Sequence, residues 1–165
     1  MNVLALRERI GGHQGRADTL HGALNIAKVL GAHRRVLLVL DRFDDPDTVL
    51  SRFVALAEGA TLDVVALVVL PEWSASQLEL RTKAHLKRVA EEATSPTVSV
   101  SAEVDLGEPV ATVLDIAARR DVDLIAMTPH RLGVIDRLLD HSILEEVLRR
   151  SPVPVVAIQV PLRAC

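Results

Sequence analysis

A chain of 165 residues, 49% of them hydrophobic, has the length of one compact domain and enough apolar surface for a substantial core. Aromatic residues are limited to two Phe and one Trp, so the core is expected to be aliphatic, and the aromatic platform on which single-strand binders stack bases has almost nothing to be built from. The 19 basic and 22 acidic residues are interspersed and leave a formal net charge of −3, which argues against the one-sided basic face of a nucleic-acid binder.

Residues 1–34 read as an extension. The first ten carry Arg7, Glu8 and Arg9 and do not form a signal-peptide pattern. After a Gly11-Gly12 break, Asp18 is followed by Leu20, Ala23, Leu24, Ala27 and Leu30, a spacing that predicts an amphipathic helix, for packing or dimerisation ahead of a linker from a larger assembly.

From residue 36 short apolar runs alternate with helical patterns, the signature of β-α-β units around a parallel sheet. Strands are expected over 36–40, 62–70, 98–104, 124–127 and 153–158. Their Val, Leu and Ile content fits burial on both faces, except that 98–104 alternates with polar residues and reads as an edge. No apolar run exceeds 64–70, far below the roughly 20 residues that span a bilayer, so no membrane insertion is expected.

Asp44-Asp45-Pro46-Asp47 reads as a turn and helix start, and Val49, Leu50, Phe53, Val54 and Leu56 follow at helical spacing over 47–58. A second helix over 76–93 carries an inner stripe of Leu78, Leu86, Val89, Ala90 and Ala93, with Leu80 directed away and Lys83, Lys87, Arg88 and Glu91 on a solvated face. Gly107-Glu108-Pro109 opens a third helix, because proline in the first turn removes an amide that has no helical partner. Val110, Val113, Leu114, Ile116 and Ala117 give that helix its inward face, and Arg119 and Arg120 close it. Ser142-Ile143-Leu144-Glu145 is a capping box at the start of a fourth.

Enzyme signatures are missing. There is no Gly-x-Ser-x-Gly elbow and no glycine-rich loop ending in Lys, and the sole cysteine, Cys165, makes an internal disulfide or a cysteine nucleophile implausible. A reducing, cytoplasmic setting is expected. His130 and His141 lack a spaced third ligand, so no metal is expected. Asp41, Asp44 and Asp45 evoke a phosphoacceptor receiver domain, but that class needs an aspartate ending its central strand and a lysine ending the fifth, and neither stands here.

Several of these landmarks together resemble the universal stress protein family over residues 34–160. Val39-Leu40-Asp41 is similar to its first strand end, Val69 falls where nucleotide-binding members contact adenine through the backbone, and Gly107-Glu108-Pro109 matches its Gly-x-Pro. Arg137-Leu138-Leu139, Ser142, Glu145, Val147-Leu148-Arg149 and Ser151-Pro152-Val153-Pro154-Val155 follow its C-terminal pattern. The resemblance implies an α/β fold over 35–165, a doubly wound five-stranded parallel sheet of the Rossmann-like, adenine nucleotide alpha hydrolase-like kind. It also implies a homodimer paired through the last strand, which Pro152, Pro154 and Pro161 suit as an edge.

Nucleotide-binding members carry a loop of Gly-x-x-Gly, nine residues, then Gly and Ser or Thr. Here Thr128, Arg131 and His141 occupy the three glycine positions and only Ser142 conforms, while Gly133 lies within the spacer. Glycine lets a phosphate approach bare amides, so these replacements weaken the phosphate grip. The first expectation is therefore a non-catalytic, dimeric regulatory or interaction module with a degenerate nucleotide loop, no required cofactor and an unknown protein partner. The alternative is an ATP- or AMP-binding stress sensor in which Arg131 and Ser142 replace the amides and Asp41 holds the ribose. If a nucleotide is held, its contacts are assigned to Asp41, Val69, Thr128, Arg131, His141, Ser142 and Ile143.

Overall fold

A computed structural model describes residues 2–7, 34–42, 44–57, 59–128 and 143–159. Strands β1 (Asn2–Arg7) and β2 (Arg35–Leu40) are followed by α1 (Pro46–Leu56), β3 (Leu62–Leu70), α2 (Ser76–Ala93), β4 (Val98–Leu106), α3 (Pro109–Arg119), β5 (Leu124–Met127), α4 (Ile143–Arg150) and β6 (Val155–Gln159). One sheet runs in the order β1-β6-β5-β2-β3-β4. Strands β2 to β6 are parallel to their neighbours, and β1 lies antiparallel on β6.

The five parallel strands meet the sequence expectation, and β4 is the edge that its polar alternation predicts, with Val98 and Val100 buried and Ser99 and Ser101 exposed. β6 begins at Val155 instead of 153. The Ser151 hydroxyl donates to the Val153 carbonyl at 2.7 Å and accepts from the Val153 amide at 3.2 Å, so this segment is a side-chain-braced turn before pairing starts.

The sixth strand corrects two expectations. Asn2–Arg7 belongs to the sheet and is not part of a separate helical extension, and β6 is not an edge, because β1 pairs along its outer side from Asn2↔Gln159 to Arg7↔Val155. One extra residue of β1 lies between its Val3↔Ile158 and Leu6↔Val156 pairs, the geometry of a bulge. The edge through which a second copy was expected to pair is thus occupied. The helix expected from Asp18 to Leu30 lies outside the described residues.

Alternation along β2 divides the core. Val36, Leu38 and Leu40 face one layer with Leu50 and Phe53 of α1 and Leu86 and Val89 of α2. Leu37 and Val39 face the other with Val113 and Ile116 of α3 and Val147 of α4. Each fully buried aliphatic side chain contributes about 1.5–3 kcal/mol, which is how a chain with so few aromatics builds two cores. Only the second half of α2 packs: Leu86, Val89 and Ala90 are buried, but Leu78, expected on the inner stripe, is 50% exposed.

Two of the expected helix starts are closed by a side-chain cap. Asp45 caps α1, accepting from the Thr48 amide ahead of Pro46, and Glu108 caps α3, accepting from the Val110 and Ala111 amides at 3.0 and 2.7 Å. The charges of α2 are spent locally. Arg88 pairs with Glu92 at 2.8 Å, and Asp47 of α1 meets His85 at 3.0 Å, which with Arg88 holds the Asp47 carboxyl below its ordinary range.

Candidate functional site

β2 has β3 on one side and β5 on the other, and the chain leaves these neighbours toward opposite layers. In a doubly wound sheet this reversal opens a crevice at the carboxyl ends of the central strands. β2 ends there at Leu40, and Asp41 begins a turn closed by the Asp44 amide donating to the Asp41 carbonyl at 2.9 Å. β5 ends alongside at Met127, and the Thr128 amide extends the ladder by donating to Val39 at 3.1 Å.

A polar triangle locks the two strand ends. The buried Thr128 hydroxyl donates to the Asp44 carboxylate and accepts from the Asp41 amide at 3.1 Å, and the same Asp44 oxygen accepts from the Asp41 amide at 3.0 Å. Both donors of Thr128, the amide and the hydroxyl, are therefore used inside the fold. Where the family pattern calls for a glycine amide open to phosphate, this side chain ties β5 to the turn after β2.

Beside the triangle lies a cavity of about 290 Å³. Val39, Leu40, Asp41 and Arg42 border it from the end of β2, Val69 and Pro71 from β3, and Met127 and Thr128 from β5. Gly107, Pro109 and Val113 contribute from the start of α3, and Ile143 and Leu144 from the start of α4. Its size is at the lower end of ligand pockets, which run about 300–1,000 Å³.

Gly107 is required by geometry. Its φ is +148°, and an added Cβ would stand 2.9 Å from Thr112 Oγ1. Its amide donates to Leu70 at 2.9 Å, so the turn carries β4 back against β3 before α3 begins. Because Glu108 already accepts the first free amides of α3, that helix end has a negative charge where a phosphate would otherwise be drawn.

The structure brings together four of the residues expected at a nucleotide site: Asp41, Val69, Thr128 and Ile143. Arg131, His141 and Ser142 lie outside the described residues. Pro71, Val113, Met127 and Leu144 were not assigned to the site from the sequence, because apolar residues of strands and helices look like any core residue, and Arg42 carried no motif that marked it. Nor did it foresee Asp44 as a partner of Thr128, 84 residues away. Among the described residues no group of three His, Cys, Asp or Glu side chains is placed to hold a metal ion, and no helix is long and apolar enough to cross a membrane.

Solved structures of the same architecture include the universal stress protein UspA from Lactobacillus plantarum, with a TM-score of 0.58 at 17% identity over 77% of this chain and 97% of that one. A universal stress protein in complex with cAMP gives a TM-score of 0.57 at 17% identity, covering 77% of this chain and 98% of that one. One from Archaeoglobus fulgidus in complex with dAMP gives 0.54 at 17% identity, over 75% of this chain and 96% of that one. Comparison with curated protein sequences finds no match. The family model described as "Universal stress protein family" matches residues 20–159, spanning the five parallel strands and the pocket, and the chain belongs to that family.

Proposed function

We propose that this protein is a non-catalytic regulatory module whose pocket takes the nucleoside part of an adenine nucleotide, with little grip on a phosphate chain. The observation that carries this reading is the pairing of an open cavity, bordered by Asp41 and Val69, with a Thr128 whose two donors are both engaged within the fold. Two relatives of the same fold are complexes with cAMP and dAMP, which supports an adenine ligand. The Glu108 cap and the neighbouring carboxylates of Asp41 and Asp44 support weak phosphate affinity, since they place negative charge beside the cavity.

Asp41 is assigned the ribose hydroxyls and the backbone near Val69 the adenine edge. Loss of two charge-assisted amide contacts, at about 1.5–3 kcal/mol each, lowers triphosphate affinity by roughly a hundredfold to ten-thousandfold relative to a glycine loop. A cytoplasmic setting and an effector protein partner belong to the same proposal. Pairing through the last strand, as the family resemblance implies, requires β1 to leave β6.

Calorimetry with adenosine, AMP and ATP tests the reading. Adenosine and AMP are expected to bind, Asp41→Ala to weaken both, and ATP to bind no tighter than AMP. Low-micromolar ATP binding well above that of adenosine replaces this reading with the ATP-sensor alternative, in which Arg131 and Ser142 hold the phosphates. No heat with any of the three at millimolar concentration removes both.

A further inference from the structure

Trp73 is the single tryptophan of the chain and is 81% exposed, an expensive place for the largest apolar side chain. It stands in the turn that leaves β3, where the Ser74 amide donates to the Pro71 carbonyl at 2.9 Å. Pro71 borders the cavity. Consecutive Cα atoms are about 3.8 Å apart, so the Trp73 backbone lies within about 7.6 Å of that border, a span an indole can cover.

The described border of the cavity offers a flat ring apolar side chains and the polar Asp41, Arg42 and Thr128, with no aromatic ring among them. Val39, Val69, Val113 and Met127 border it, and among the described residues the aromatic ones are Trp73 and Phe53, the latter fully buried in the opposite core. Stacking on an aromatic side chain is worth enough per base to decide whether a planar heterocycle stays bound. Among the described residues, Trp73 is the one positioned to supply it.

We propose that Trp73 is a specificity-determining wall of this pocket: its indole turns over the opening and stacks on a planar heteroaromatic ring held against the strand ends. This rests on the pocket reading above and adds a residue that the family landmarks in the sequence do not include. The Ser74 to Pro71 hydrogen bond braces the backbone of the turn, so the closure proposed is a change of side-chain rotamer. Free protein exposes the indole, and bound protein covers it.

The test uses the full chain with adenosine and AMP as probes, followed by calorimetry and by intrinsic fluorescence, which in a chain with one Trp and no Tyr reports Trp73 alone. Fluorescence is expected to change with the same midpoint as the heat. Trp73→Ala is expected to weaken adenosine binding about tenfold or more, and Trp73→Phe to restore most of it. Exposure of the side chain makes both variants compatible with folding, which far-UV circular dichroism checks. Heat of binding with silent fluorescence and an unchanged affinity in Trp73→Ala overturns the inference and leaves the pocket reading standing. Absence of heat with either probe overturns both.

Discussion

Gly107 and Thr128 show how single residues set the shape of the pocket from opposite sides. At Gly107 a φ of +148° and a 2.9 Å approach of the would-be Cβ to Thr112 Oγ1 leave no strain-free place for a side chain. Gly107→Ala is expected to lower unfolding stability by about 1–3 kcal/mol, read as a lower urea midpoint with an unchanged slope. An unaltered midpoint would show that the turn relaxes and that glycine is not needed there. Glycine followed by Glu-Pro was readable as a helix entrance from the sequence, because proline in the first turn is a local signal, while the capping by Glu108 emerges only from the structure. The role of Thr128 was readable only in part. A non-glycine at that position signalled a weaker phosphate loop, whereas the hydroxyl bond to Asp44 joins residues distant in sequence and leaves no local trace.

At the scale of elements, the five parallel strands were legible because buried strands are continuous Val, Leu and Ile runs separated by helical periods, and their predicted bounds fall within two residues of the observed ones. β1 was not legible. A six-residue stretch can pair with β6 or remain in a loop, and the choice depends on a distant edge, not on its own pattern. Its presence changes the expected assembly, since an open β6 would present a row of unpaired backbone groups to a second copy. Removing residues 1–10 is expected to uncover that row and increase self-association, measured by light scattering across a concentration series against the full chain. A truncated chain that stays monomeric at the highest concentration would show that β6 does not pair between copies, and the dimer expectation would fall with it.

The whole molecule couples these parts through β2, the central strand whose neighbouring residues serve different layers. Leu37 packs with α3 and α4, Leu38 with α1 and α2, and both are fully buried. Either one replaced by Ala is expected to cost about 2–5 kcal/mol, from lost transfer energy and the cavity left behind. The layers differ in what they support. Val39, Met127, Val113, Val69, Ile143 and Leu144 all border the pocket and all belong to, or pack on, the core that contains Leu37. A void under that layer lets the pocket wall settle, while a void on the far side is separated from it by the sheet. At equal loss of stability, Leu37→Ala is therefore expected to weaken adenosine binding severalfold and Leu38→Ala to leave it near the parent value. Urea unfolding and calorimetry on both variants, at a temperature where each is fully folded, measure the two effects separately. Equal weakening in the two would mean that the pocket responds to global stability, and that its walls are not carried by one layer of the fold.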